Sequence, residues 1–249
     1  MSDFDFSGKT VVITGAGSGI GRSIAIGFAK AGAKTVIAGR QLSNLEETAC
    51  MIRDAGGDTL TVATDVTDEA SVRALMERTG PLHIAVNAAG IVAGGLLDDM
   101  EAEAFARIFN SNVTGLWISM KHEIRALKMT GGGVIVNIGS NVGARIVRPT
   151  MGAYAASKAA ISSLTRTAAL EAIPRGIRIN CLCPGPVDTP LSMRPGEDRA
   201  ALDERIAATN PSKRVASTSE IAANALWLAS DSASYIVGQD IIIDGGASA

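Results

Sequence analysis

The 249-residue chain is short of histidine, cysteine and net charge, and each shortage removes a class of function. Its two histidines, His83 and His122, fall in an expected strand and an expected helix, and neither stands at ligand spacing from a partner. No metal is called for. Three cysteines cannot form an even disulfide set, and Cys50, Cys181 and Cys183 include no Cys-x-x-Cys pair. Cys181 and Cys183 alternate onto one face of a strand and read as core thiols rather than ligands. A net charge of −2 supplies no basic field for nucleic acid or an anionic membrane. The chain has no apolar run of about 18 residues, and Met1 to Gly8 carries Asp3 and Asp5 where a signal peptide has basic and apolar regions. A cytoplasmic protein without nucleic-acid or membrane partners is expected.

What is plentiful is apolar and small: 47% of residues are hydrophobic, and 27 are glycine. A chain of this length buries about 75% of its unfolded surface, enough for one large core. β-branched runs at 10–14, 35–38, 59–63, 83–87, 133–138, 178–183 and 240–243 alternate with helical patterns. The class is therefore α/β: a single doubly wound parallel sheet of about seven strands, with helices on both faces, in one domain spanning 1–249. Ser43-Asn44-Leu45-Glu46 has capping-box spacing and predicts a helix start, and Gly56-Gly57 lies beyond its end. The segment from Pro184 to Arg214 carries prolines at 184, 186, 190, 195 and 211 and is long for a structureless connection. Its stretch 186–213 is a candidate lid.

Two motifs carry chemistry. Thr10 to Thr14 is a strand pattern that enters Gly15-Ala16-Gly17-Ser18-Gly19-Ile20-Gly21, and Ile24, Ala25, Phe28 and Ala29 then recur at helical spacing. Glycines between a strand and a helix let a pyrophosphate reach backbone N–H groups at the helix start. Far downstream, Tyr154 and Lys158 are four residues apart, which places them on one helical face a turn from each other. An ammonium fixed near a phenol favours the phenolate, so the pair can act as general acid and base.

The spacing Thr14-Gly15-x-x-x-Gly19-Ile20-Gly21, together with Tyr154-x-x-x-Lys158, resembles the short-chain dehydrogenase/reductase family. Further landmarks follow in order: Asp65-Val66, Asn87-Ala88-Ala89-Gly90, Asn112-Val113-x-Gly115, Ser140, Pro184-Gly185 and a terminal Asp244-Gly245-Gly246. The resemblance implies a Rossmann-like dinucleotide-binding catalytic domain. It implies a catalytic set of Asn112, Ser140, Tyr154 and Lys158. Tyr154 would exchange the proton, Lys158 would also contact the nicotinamide ribose, Ser140 would position the substrate oxygen, and Asn112 would hold a water that continues the proton path. It further implies cofactor contacts from Gly15, Ser18, Gly19, Ile20, Gly21, Arg40, Asp65, Val66, Asn87, Ala88, Gly90, Pro184, Gly185, Val187 and Thr189, besides Tyr154 and Lys158.

The end of the second strand bears on which cofactor. Relatives that prefer NAD commonly carry an acidic residue where this chain has Gly39, and Arg40 follows with a planar fork able to pair with a 2′-phosphate. NADP is expected, with NAD the alternative. The reaction expected is interconversion of a secondary alcohol and a ketone on a small or medium carbonyl, or a sugar or polyol. Expected pocket walls are 91–96, 141–151 and 186–195, which mix apolar side chains with Arg145, Arg148 and Arg194. Two alternatives are a 3-oxoacyl-[acyl-carrier-protein] reductase, with Lys121, Arg125, Lys128 and Arg175 as a partial docking patch, and a catalytically silent NADP-binding regulator. Ala153, Ala156, Ala160, Ala168 and Ala169 on the Tyr154 helix would permit close helix approach, and with the family's habit of pairing this helix they point to a homotetramer.

Overall fold

The computed structural model describes residues 4–194 and 196–249. Seven strands form one parallel sheet in the order β3-β2-β1-β4-β5-β6-β7. They are β1 (Thr10–Thr14), β2 (Lys34–Gly39), β3 (Thr59–Ala63), β4 (Ile84–Asn87), β5 (Gly133–Ile138), β6 (Ile177–Pro184) and β7 (Asp240–Ile243). Between them run α1 (Gly19–Lys30), α2 (Leu42–Asp54), α3 (Glu69–Thr79), α4 (Ala102–Phe109), α5 (Gly115–Met129), the four-residue turn α6 (Asn141–Ala144), α7 (Gly152–Ala172), α8 (Arg199–Thr209) and α9 (Thr218–Ala229).

Side chains of a strand alternate between the sheet's faces, and each face here has its own core. Val11 and Ile13 of β1 pack with Ile24 and Phe28 of α1, Leu45 of α2 and Ile221 of α9. Val12, between them, faces Leu75 of α3, Met120 of α5 and Ile161 of α7. A fully buried Phe28 or Ile161 contributes about 1.5–3 kcal/mol relative to exposure. The strand order reverses direction between β1 and β4, and their carboxyl ends open the crevice in which folds of this kind bind ligands.

Three local readings are corrected. The helix α2 starts at Leu42 with Gln41 as an uncapping N-cap, so Ser43 and Glu46 form no capping box. Glu46 instead accepts from Thr61 Oγ1 at 2.7 Å, a tertiary bond that outweighs the local one. The segment after Pro184 is not structureless: a 3₁₀ turn at Pro190–Ser192 and the helix α8 occupy much of it. Pro195, one of its five prolines, lies outside the described residues. His83 stands just before β4, where its Nδ1 accepts from the Thr10 amide at 3.0 Å. Of the α7 alanines, Ala153 and Ala169 are buried in the chain's own core while Ala156 is exposed.

Candidate active site

The glycine turn after β1 is shaped by what a side chain would strike. Gly15 has φ +69°, and a Cβ there would lie 2.7 Å from the Ala88 carbonyl carbon, so this residue lets the ends of β1 and β4 touch. A Cβ on Gly21 would run into the Gly15 carbonyl. Ser18 is the N-cap of α1 yet makes no side-chain cap bond, which leaves first-turn N–H groups for an anion. Arg22 is not available to a phosphate: its guanidinium donates to the Gly17 carbonyl, to Thr48 Oγ1 and to Glu47, pinning the turn to α2. The cradle, open in backbone donors and clear of side chains, fits a pyrophosphate.

At the ends of β2 and β3 lie the residues expected near the adenosine half. Arg40 is exposed and has no ion pair among the described residues. Asp65 Oδ1 accepts from the Thr67 amide at 2.9 Å and its hydroxyl at 2.8 Å. Those two bonds hold the Asp65 carboxyl below its usual range, with the Arg40 charge a smaller contribution. Val66 closes over Gly115, where a Cβ would lie 2.8 Å from Val66 Cγ2.

The polar residues at the ends of β4, β5 and α7 form one connected group. A wide π turn, Asn110–Thr114, joins α4 to α5 and turns Asn112 inward. Asn112 Oδ1 accepts from the Ile91 amide at 2.8 Å, and its Nδ2 donates to the Ile91 carbonyl at 2.9 Å and to Ser157 Oγ at 3.1 Å. Ser157 in turn donates to the Tyr154 carbonyl at 2.7 Å. Lys158, only 6% exposed, donates to the Ile138 carbonyl at 2.9 Å, and its Nζ stands 5.7 Å from the Tyr154 ring centre. Gly90 leaves the gap in which these meet, since a Cβ there would lie 3.2 Å from Asn112 Oδ1 and 3.7 Å from Lys158 Nζ. Ser140 is separated from the end of β5 by Gly139 alone, and its Oγ accepts from the Val142 amide at 3.1 Å, which leaves its hydroxyl proton to give elsewhere.

Three loops converge around this group. Gly95 N–H donates to the Thr150 carbonyl at 2.8 Å, and Leu97 lies over Gly152 at the start of α7. Gly185 abuts Asp244 so closely that a Cβ would sit 2.7 Å from the Asp244 Cβ, which brings Pro184-Gly185 against the end of β7. Val187 bridges to Ala216, and Thr189 Cγ2 lies beside Gly19, joining the 186–213 segment to the glycine turn. Asn87 sits beneath, donating to Glu123 Oε2 at 2.8 Å and to Asn137 Oδ1 at 3.0 Å. The sequence reading named neither Glu123 nor Ser157 as functional. A glutamate in an α5 stripe that is otherwise apolar was the available signal for the first; nothing in local spacing marks the second. Of the expected docking patch, Lys121 is bound to Glu69 at 2.6 Å and stands over Trp117, so it is not a free charge. His122 shares that carboxylate at 3.0 Å.

A dinucleotide cradle at a sheet switch point, beside a paired phenol and ammonium, is the equipment of an oxidoreductase that moves a hydride between a nicotinamide cofactor and an alcohol or ketone. Residues 15–248 match the family model described as "Enoyl-(Acyl carrier protein) reductase". The chain is 39% identical over 250 residues to cis-4-hydroxycyclohexanecarboxylate dehydrogenase of Sinomonas cyclohexanicum, with 98% of each chain covered. Among solved structures it is similar to a gluconate 5-dehydrogenase from Burkholderia cenocepacia in complex with NADP and tartrate, with a TM-score of 0.91 at 32% identity over 99% of this chain and 97% of that one. It is also similar to 7α-hydroxysteroid dehydrogenase complexed with NADH and 7-oxo glycochenodeoxycholic acid, with a TM-score of 0.90 at 31% identity over 98% and 96%. The chain belongs to the short-chain dehydrogenase/reductase family. It is an NAD(P)-dependent oxidoreductase acting between alcohol and ketone.

Proposed function

We propose that this enzyme is an NADP-preferring dehydrogenase of a secondary alcohol on a saturated ring, with Tyr154, Lys158, Ser140 and Asn112 as its catalytic set. The observation that carries the catalytic assignment is the clustering of these side chains: hydrogen bonds run from Ile91 through Asn112 and Ser157 to the Tyr154 main-chain carbonyl, and Lys158, fixed by the Ile138 carbonyl, has its Nζ 5.7 Å from the Tyr154 ring centre. When bound, the nicotinamide cofactor supplies or accepts the hydride. Tyr154 gives its phenolic proton to the carbonyl oxygen in reduction and takes it back in oxidation. Lys158, buried with its positive charge beside the phenol ring, stabilises the phenolate left behind and lies where the nicotinamide ribose is expected. Ser140 donates its free hydroxyl proton to the same substrate oxygen. Asn112, clamped at both ends of its carboxamide, holds the water that returns the proton to solvent.

The cofactor contacts assigned are Gly15, Ser18, Gly19, Ile20 and Gly21 to the pyrophosphate, Asp65 and Val66 to the adenine, Asn87, Ala88 and Gly90 to the nicotinamide ribose, and Pro184, Gly185, Val187 and Thr189 to the carboxamide end. Arg40 favours the 2′-phosphate because it is exposed and uncommitted. The ring preference rests on an apolar rim of Leu96, Leu97, Val147, Leu191 and Met193, all exposed, and on the named substrates of the relatives. Arg145 and Arg148 have no carboxylate partner among the described residues and give the rim a charge for an acidic substituent. The 186–213 segment covers the substrate. The molecule is a cytoplasmic homotetramer; sedimentation at micromolar concentration is expected to give a species near four times 25.5 kDa, and a monomer overturns that part.

Assays of cyclic and open-chain ketones and alcohols with both cofactors, following absorbance of the reduced nicotinamide, test the substrate and cofactor. Tyr154→Phe is expected to lose at least about a thousand-fold in turnover while keeping its cofactor affinity. Wild-type-like turnover in that variant overturns the mechanism. Lys158→Ala is expected to impair both turnover and cofactor binding.

A further inference from the structure

Two of the three cysteines lie together on the face of the sheet that carries α7. Cys181 and Cys183 occupy alternate positions of β6, so their side chains share a face, and Cys181 pairs in register with Asp240 of β7. Their sulfurs are 3.6 Å apart, Cys183 Sγ is 3.9 Å from Asp240 Oδ1, and one ligand atom from each of the three residues lies within 4.8 Å of the others. Behind them the backbone makes room. A Cβ on Gly139 would stand 2.6 Å from one sulfur and 2.9 Å from the other.

The spacing is that of a coordination sphere. Two thiolates at about 2.3 Å from a tetrahedral ion are roughly 3.7 Å apart, and a carboxylate oxygen at about 2.1 Å is roughly 3.6 Å from either sulfur. The sulfur–sulfur and Cys183–Asp240 separations need adjustments of a few tenths of an ångström, and the third, within 4.8 Å, closes by up to about 1.2 Å through rotation of the Asp240 carboxylate. Charge also closes: two thiolates and a carboxylate against a divalent cation leave one negative charge, and Arg166 of α7 neutralises it through Asp240 Oδ2 at 3.1 Å. The same pair marks the way in. β7 is one of the two edge strands, the Asp240 side chain is 15% exposed, and Arg166 is 54% exposed, so opening this one ion pair brings solvent to the carboxylate beside the sulfurs. Without an ion the sulfurs are buried thiols, and the Cys183 hydrogen bond and burial push the Cys181 thiol up from its ordinary range.

We propose that Cys181, Cys183 and Asp240 bind one thiophilic divalent cation of the zinc and cadmium class, and that loading the site lowers turnover. Binding forms two metal–sulfur bonds and one metal–oxygen bond and releases the two thiol protons to buffer; no electron moves. The link to turnover, which rests on the catalytic assignment above, is Gly139. It lies against both sulfurs and between Ile138, whose carbonyl holds Lys158, and Ser140. Cys183 also precedes the Pro184-Gly185 segment directly.

Cadmium is the probe, because its thiolate bonds give an ultraviolet charge-transfer band that reports binding without any assay of activity. Equilibrium dialysis of the whole enzyme is expected to give one cadmium per chain, with that band and about two protons released. Cys183→Ser should lose the band and at least ten-fold in affinity, and Asp240→Asn should keep the band with affinity about ten-fold lower. Cys50→Ser, at an exposed site, should match the wild type. Absence of the band, or binding that follows Cys50 alone, overturns the site. If Cys183→Ser does not fold, Cys181→Ser and Asp240→Asn decide the same question. Turnover should fall with one equivalent of cadmium, recover with a chelator, and resist cadmium in Cys181→Ser. Binding with unchanged turnover overturns the link to Gly139 and leaves the site.

Discussion

A carboxyl as deeply enclosed as Glu123 has its protonation state set by its neighbours. Asn87 donates to one oxygen, while the other has no partner among the described residues, and burial pushes the pKa up to about 7. The folded state therefore holds a proton that the unfolded chain gives up near pH 4.5. The stability this provides is fully present below about pH 4.5 and is lost as pH rises to about 7, on the order of 3 kcal/mol. Glu123→Gln carries no such proton. Its Tm should fall between pH 5 and pH 8 by roughly 5 °C less than that of the wild type, as read by thermal unfolding at both pH values. Also at the residue scale, Arg40→Leu should erase most of a ten-fold to hundred-fold NADP preference in kcat/KM, since a charge-assisted contact is worth about 1.5–3 kcal/mol. Adding Gly39→Asp should reverse the preference, and the backbone permits it: a Cβ at Gly39 meets the Leu45 side chain at ordinary contact distance, 3.5 Å to Cδ2. Equal kcat/KM for the two cofactors in the wild type would show that Arg40 is a surface charge.

At the scale of elements, α6 and α7 approach more closely than any side chain allows. Gly143 has φ +93°, and a Cβ there would strike the Ala155 carbonyl and lie 3.0 Å from the Ala159 amide nitrogen. Gly143→Ala should therefore separate Ser140 from the Tyr154 helix. Expected are a Tm loss of several degrees and a fall in kcat with the cofactor Kd little changed, checked by calorimetry and fluorescence titration. An unchanged kcat would mean that the α6 turn does not position Ser140. The strands were legible because short runs rich in Val, Ile and Thr recur between helical patterns, and all seven appear within a residue or two of the expected limits. The start of α2 was not, because Ser43 and Glu46 satisfy a local rule that a distant residue, Thr61, overrides. A true capping box stands at Ser217 and Glu220, at the head of α9. Within the site the landmark residues were legible as a set, whereas the clamps on them were not. Ile91, Ile138 and Ser157 act through main-chain atoms or through bonds between residues far apart in the chain.

For the whole molecule, a cofactor in the proposed crevice would touch the ends of β1, β2, β4 and β6 at once, and so add to the few contacts that join those loops, such as Thr189 against Gly19. Ligand at a hundred times its Kd adds about 2.7 kcal/mol to folding, which for a chain of this size is a rise in Tm of roughly 5–10 °C. NADP should give the larger rise at equal concentration; a larger rise with NAD would overturn the proposed preference. The same architecture bears on descent. Asn112, Ser157 and Lys158 take their positions from the carbonyls or amide of Ile91, Tyr154 and Ile138, not from the isoleucine side chains. Mutation can exchange those isoleucines for other apolar residues without moving the atoms that hold the site. Backbone anchoring of this kind lets a lineage drift in sequence while the geometry of its site stays in place.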